Sequence, residues 1–337
     1  MRLTLPSLAH ATHRYWLGLL SPARGQVALH RGEFGPRGRT PGLHDLDREG
    51  DVDSDGIRIH HYGAGPGDAA RTVVFVHGFG LNAHSFFRQV DHLRTRHDDL
   101  RCVLLDLRGH GRSQAVPAEQ CSVNGAADDV LTVLDRCVPT GPIILVGHSL
   151  GGSVLFNLIR RCPERLRQRI AGLVVIGSAM DAFAEHGIPQ LLATPAAEQV
   201  HHLADRAPGP AERLRREITR RLAPALAVSI YRRPTDYALI RFHARMVQDT
   251  PLETYLGFFG ELQDHDESAA GEKLTGIPGY ALLGEFDDVT PQEHFRQLHR
   301  AWPEAWLQGG EGAGHMLPLE FPGIVNAAID RLLDRTA

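Results

Sequence analysis

Short uninterrupted apolar runs alternate along the chain with stretches whose apolar positions recur every three to four residues. The runs Val73-Val74-Phe75-Val76, Val103-Leu104-Leu105 and Ile143-Ile144-Leu145-Val146 carry no polar face, as strands buried on both sides beneath covering helices require. Strands are expected over 57–62, 72–77, 102–106, 143–147, 171–176, 280–283 and 305–307. Between them, 124–137 places Val130, Leu131, Val133 and Leu134 along one helical side, with Asn124 as the residue that starts the helix. The alternation predicts βαβ units and therefore an α/β fold, with a mostly parallel central sheet flanked by helices.

The pattern is interrupted twice. Residues 21–55 are rich in Gly, Pro, Arg and Asp and show little periodicity, so 1–55 reads as a partly irregular leader and the catalytic body is expected to begin near Gly56. Residues 181–267 show no strand signal, and Pro189, Pro195, Pro208, Pro210, Pro224, Pro234 and Pro251 divide them into short helical stretches such as 211–222. An insert of this kind between two core strands reads as a helical cap over a site. The core is then 56–180 and 268–337, with the cap at 181–267.

Composition narrows the field further. The 337 residues are 42% hydrophobic and 23% charged, the balance of a soluble globular protein with a large core. A net charge of −4 with dispersed basic residues gives no footprint for nucleic acid. Cys102, Cys121, Cys137 and Cys162 lack paired spacing, so neither a zinc site nor a disulfide framework is expected, and reduced thiols in the cytoplasm are the simplest reading. The first twenty residues hold Arg2, His10, His13 and Arg14 among short apolar pieces, too broken for a cleaved signal or a membrane span. A short N-terminal helix around 15–20 is expected to pack on the body; peripheral contact with a membrane is the alternative.

The candidate chemistry centres on Gly147-His148-Ser149-Leu150-Gly151-Gly152, placed directly after a buried strand and before the helical run 154–161. A sharp strand-to-helix turn forces its serine into strained backbone angles, and glycines at the neighbouring positions avoid clashes. Five residues match by chance easily in a chain with 35 glycines, and serine needs a base and an orienting acid. Both follow in order. Gly284-Glu285-Phe286-Asp287-Asp288 puts carboxylates just past one strand, and Gly312-Ala313-Gly314-His315 puts a histidine past the next. Ser149 is read as nucleophile, His315 as general base and Asp287 as the acid that fixes its tautomer, with Asp288 the alternative one residue away. The developing oxyanion needs two N–H donors; Leu150 supplies one, and Phe79, in His77-Gly78-Phe79-Gly80 after the second expected strand, supplies the other.

Residues 56–333 resemble the α/β-hydrolase superfamily in its capped esterase and lipase-like branch. Asp106-Leu107-Arg108-Gly109-His110-Gly111-Arg112-Ser113 is similar to that family's D-x-R-G-x-G-x-S loop, whose role the resemblance implies to be structural. Gly314-His315-Met316 followed by Glu320-Phe321-Pro322 resembles its histidine loop running into a last helix with Pro322 near the start. A serine at the elbow argues against the dehalogenases and epoxide hydrolases of this fold, which place aspartate there. Ester, thioester and amide hydrolysis, carbon–carbon cleavage of a diketone and perhydrolysis stay open, as does a non-catalytic ligand-binding protein with an intact triad. Fold analogy does not choose among them.

Phe183, Leu191, Leu192, Tyr231, Tyr237, Phe242, Met246, Tyr255, Phe258 and Phe259 supply apolar material in the insert. Most are expected in its core and about a third against substrate. The expected substrate is a small hydrophobic carboxylic ester with a medium or long acyl chain, such as a monoacylglycerol or lysophospholipid, with no cofactor and no metal. His265-Asp266-Glu267 is expected to end a helix; orientation of a polar head group or metal is the alternative.

Overall fold

The structure, a computed structural model, describes residues 40–181, 230–290 and 292–335. The apolar runs form the middle of an eight-stranded sheet: β1 (Arg48–Ser54), β2 (Ile57–Ala64), β3 (Arg71–Val76), β4 (Leu100–Leu105), β5 (Ile143–His148), β6 (Ile170–Ile176), β7 (Gly279–Gly284) and β8 (Ala305–Gly310). Their order is β1-β2-β4-β3-β5-β6-β7-β8. β2 pairs antiparallel with β1 and β4, and every later pairing is parallel.

Because side chains alternate across a strand, each buried run feeds both layers. Val74 and Val76 enter one apolar cluster, Val73 and Phe75 the other. The long helices among the described residues are α1 (Phe87–Arg96), α2 (Val123–Cys137), α3 (Leu150–Arg161), α4 (Tyr237–Asp249), α5 (Leu252–Asp264), α6 (Gln292–Ala301) and α7 (Pro322–Arg335). α2, α3, α5 and α6 contribute to the first cluster, α1, α4 and α7 to the second. The helices thus cover both faces of the sheet, which explains why its central strands lack a polar side.

Two expectations are corrected. Residues 48–54, read as leader, are β1, so the sheet begins before Gly56. β1 was missed because its sequence, REGDVDS, is an exposed edge with little to bury. Its signal lay in the turn: Asp55 and Gly56 join β1 to β2 with φ of 52° and 79°, the pair of positive angles that a two-residue hairpin needs and that Asp-Gly supplies. The second correction concerns α2. Its cap is Ser122, whose Oγ accepts the Gly125 N–H at 3.0 Å, while Asn124 lies in the first turn and its Oδ1 accepts from Asn157 Nδ2 at 2.8 Å. Both residue types cap well, and only the chain path selects between them.

Between β6 and β7, the described part of the insert carries α4 and α5. Its two ends meet: Asp181 and Asp266 form an isolated antiparallel bridge, and the Glu267 N–H donates to Met180 O at 2.6 Å. Glu267 then accepts from Asn157 at 2.6 Å and from Arg160 at 2.8 Å, both on α3. His265 closes α5 by donating its N–H to Glu261 O, so the His265-Asp266-Glu267 stretch ends a helix and ties it to the core. The leader up to residue 39, the stretch 211–222 and Phe183, Leu191 and Leu192 lie outside the described residues. Among those described, no helix is long and apolar enough to cross a membrane.

The loop from Asp106 to Ser113 works as a clamp. Asp106 accepts from Tyr62 Oη at 2.9 Å, Ala83 N at 2.8 Å and Arg112 N at 2.8 Å, joining β2 and the loop after β3 to its own turn. Arg108 makes a bidentate pair with the fully buried Asp129 of α2 at 2.7 and 2.8 Å. Removing one partner strands a buried charge, which costs far more than the pair itself contributes. Asp129→Ala is therefore expected to lower unfolding stability by about 3–5 kcal/mol, and Arg108→Met/Asp129→Leu by clearly less. Urea unfolding of the three proteins checks this; equal losses in the single and double variants would refute it.

Buried histidines set a second expectation. His77 donates Nδ1–H to Gly78 O at 2.8 Å and accepts the Leu107 N–H on Nε2 at 2.9 Å. His110 accepts the Gly80 N–H at 3.2 Å and donates to Arg108 O at 3.0 Å. Burial drives His77 down to about 4, and His110 and the α4 residue His243 down to about 3. The unfolded chain takes up these protons near pH 6.5 and the folded chain does not, so stability is full above about 6.5 and falls as pH drops toward the folded values. The expected slope is about 1.4 kcal/mol per pH unit for each histidine. Urea midpoints measured at about pH 7 and about pH 5 should differ steeply; a flat profile would contradict the neutral assignment.

Candidate active site

Parallel register places the ends of the central strands in line. Val76 pairs with Gly147, His148 with Ile176, Ile176 with Leu282 and Gly284 with Gly310. The loops that follow β3, β5, β7 and β8 therefore leave the sheet at one edge, the usual location of sites in open α/β sheets. Those loops carry Phe79, Ser149, Asp287 and His315.

Ser149 lies between the last residue of β5 and the first of α3 with φ 53° and ψ −121°. A non-glycine residue stays in such a region only when its surroundings hold it there. Its N–H donates to Ile176 O at 2.8 Å and its carbonyl accepts the Gly152 N–H at 2.8 Å. Gly151 allows the turn to press against β3: a Cβ there would stand 2.1 Å from Val76 O. Ser149 is 5% exposed, and the start of α3 directs its free N–H groups toward the same edge.

Asp287 and His315 form a hydrogen-bonded pair at 2.9 Å, His315 Nδ1–H donating to Asp287 Oδ2. A carboxylate only accepts, so the neutral imidazole carries its proton on Nδ1 and presents Nε2 as a base. The other carboxylate oxygen accepts the N–H groups of Val289 and Thr290, each at 2.9 Å. Three donors thus hold this acid in one orientation. Asp288 points elsewhere: its side chain is 63% exposed and pairs with Arg232, so Asp287 is the residue that meets the histidine.

The histidine loop is fastened on three sides. The His315 N–H donates to Ile230 O at 3.2 Å, its carbonyl accepts His148 Nε2–H at 3.1 Å, and the Gly314 N–H donates to Glu320 at 2.9 Å. His148 also lies beside the His315 ring, centroids 4.9 Å apart. Because His148 immediately precedes Ser149, this contact brings the serine and histidine loops together. Burial, reinforced by the neighbouring imidazole, keeps His148 far below the ordinary histidine range, so it adds no charge beside His315. The Ser149 hydroxyl is not hydrogen-bonded to His315 in this arrangement; such bonds commonly tighten only with substrate present.

Gly78 abuts the elbow, since a Cβ there would come within 3.1 Å of the Ser149 Cβ. That contact sets the loop carrying Phe79 beside the serine. Neither the Phe79 nor the Leu150 N–H donates a hydrogen bond among the described residues. The ring of Tyr255 on α5 packs edge-on against Phe79 at 5.1 Å, and Thr254 Oγ1 donates to Gly109 O at 3.0 Å. The insert therefore braces the loops around the serine directly. Of its other aromatic and sulfur side chains, Phe258, Tyr231 and Met246 are core, and Phe242 packs on Phe87.

Sequence reasoning gave no role to His148 or Glu320 and named Tyr255 only among the apolar material of the insert, without its contact to Phe79. Only His148 had a local signal, its position inside the elbow motif; the other two act through partners that the fold alone brings near. Among the described residues no group of three or more His, Cys, Asp or Glu converges as a metal-ligand set.

Comparison with known proteins agrees with this architecture. A family model described as "Alpha/beta hydrolase family" matches residues 73–328. "Uncharacterized hydrolase YugF" of Bacillus subtilis is 24% identical over 279 residues, 82% of this chain and 94% of that protein. Pimeloyl-[acyl-carrier protein] methyl ester esterase of Sodalis glossinidius is 28% identical over 232 residues, 68% of this chain and 79% of that protein. A malate-bound thermophilic esterase from Thermogutta terrifontis superposes with a TM-score of 0.65 at 24% identity, covering 86% of this chain and 98% of that one. With its sheet, its elbow and a family match that spans most of its length, this chain belongs to the alpha/beta hydrolase family.

Proposed function

We propose that the chain is a serine hydrolase that cleaves carboxylic esters of hydrophobic medium or long acyl chains, through an acyl-enzyme on Ser149. The observation that carries this reading is the buried His315–Asp287 hydrogen bond at the same sheet edge as the strained Ser149. Esterase activity in the Sodalis relative supports it.

In the proposed reaction His315 Nε2 takes the Ser149 proton as Oγ attacks the ester carbonyl. The oxygen gains negative charge and is met by the N–H groups of Leu150 and Phe79. The imidazolium, stabilised by Asp287, then protonates the leaving alcohol, and a water activated by the same histidine releases the acid. Phe79 and Tyr255, in ring contact over the loop beside the serine, offer apolar surface for an acyl chain, the feature that favours monoacylglycerol-like or lysophospholipid-like substrates.

A fluorophosphonate is expected to label the protein at Ser149, with labelling and turnover of nitrophenyl esters both lost in Ser149→Ala. Absence of both labelling and turnover in the wild type would sink the enzyme reading. Asp287→Asn is expected to lower kcat by about 10⁴-fold through the wrong imidazole tautomer, and Asp288→Asn by less than about threefold, since surface substitutions away from the reacting groups have small effects. For nitrophenyl esters of increasing length, kcat/KM should rise from acetyl to decanoyl; a series that falls with length would refute the hydrophobic-chain assignment.

A further inference from the structure

Tyr231 and His243 form a polar pair among mostly apolar neighbours, with Glu320 and Arg88, of opposite charge, within electrostatic reach of Tyr231. Their rings lie 5.7 Å apart and they are 4% and 2% exposed, packed among Leu239, Ile240, Ala244 and Met246. Neither the Tyr231 hydroxyl nor His243 Nδ1 has a hydrogen-bond partner among the described residues. Packing does not account for them, since Phe and Leu would fill the same space without burying a polar atom. Unpaired buried polar atoms are rare in native proteins and carry an uncompensated loss of hydration.

Their location gives the pair a meaning. Ile230, adjacent to Tyr231, accepts the His315 N–H, and His243 lies within electrostatic reach of His315. Both groups are neutral, because burial disfavours the imidazolium of His243 and the phenolate of Tyr231. A neutral hydroxyl and a neutral imidazole together supply both donors and acceptors, the complement of an alcohol's hydroxyl. The side of the site nearest His315 is also where the leaving alcohol must stand, because that histidine hands it a proton.

We propose that Tyr231 and His243 form a hydrogen-bonding subsite for a free hydroxyl on the alcohol portion of the ester, so that polyol esters are preferred over esters of simple alkanols. The inference rests on the serine-esterase reading above and specifies its leaving group. Sites built to hydrogen-bond a substrate hydroxyl discriminate against analogues that lack it, because their own polar groups are then left unpaired.

The test compares 1-decanoylglycerol with propyl decanoate, which share an acyl chain and differ in the glycerol hydroxyls. In the wild type kcat/KM should favour the glyceryl ester by about tenfold or more, and Tyr231→Phe and His243→Leu should each reduce that ratio by about tenfold. Tyr231→Phe should also leave Tm undiminished, because it removes an unpaired hydroxyl. A parallel loss on both esters in Tyr231→Phe, or an unchanged ratio, overturns the subsite while leaving the esterase reading intact. Absence of turnover on both esters in the wild type overturns the two together.

Discussion

The site depends on one backbone constraint, the positive φ of Ser149 at the junction of β5 and α3. A residue with a side chain in that region costs of order 1–3 kcal/mol, and what holds it is the rest of the fold. β6 supplies the carbonyl of Ile176 to its N–H, and Gly151 brings the turn against the end of β3. The strain is thus borne by the sheet itself. In return the serine is fixed at a helix start, with its side chain beyond the strand end where the loops of the neighbouring strands converge.

The loops at that edge are held by neutral imidazoles as much as by carboxylates. His77 and His110 each accept one backbone N–H and donate to one carbonyl, so a single side chain satisfies two peptide groups that the sheet has left behind. His148 does the same for the histidine loop on one nitrogen. Being uncharged, they stitch loops together without adding positive potential beside His315.

Much of this was legible in the chain. Ser149, Asp287 and His315 stood out because chemistry demands them in order, each just past a strand, and the strands were plain because they are buried on both faces. Asp287 was separable from Asp288 only once Arg232, 56 residues away in sequence, had taken the latter. β1 escaped because an exposed polar edge gives no hydrophobic period, though its Asp55-Gly56 turn was visible. Tyr255 on Phe79 and Glu320 beneath Gly314 were out of reach for a different reason. Their side chains are ordinary, and only tertiary placement gives them a role.

The meeting of Met180 with Glu267 at the base of the insert has a consequence for how such a protein can change. Because the core already holds the two ends together, the entropy of closing the intervening loop grows only slowly with its length. Changes of length between these points leave strand register as it is, provided that Ile230, Arg232 and Thr254 keep their contacts with the loops beside the serine. The junction and the sheet are thus fixed independently of how many residues lie between them.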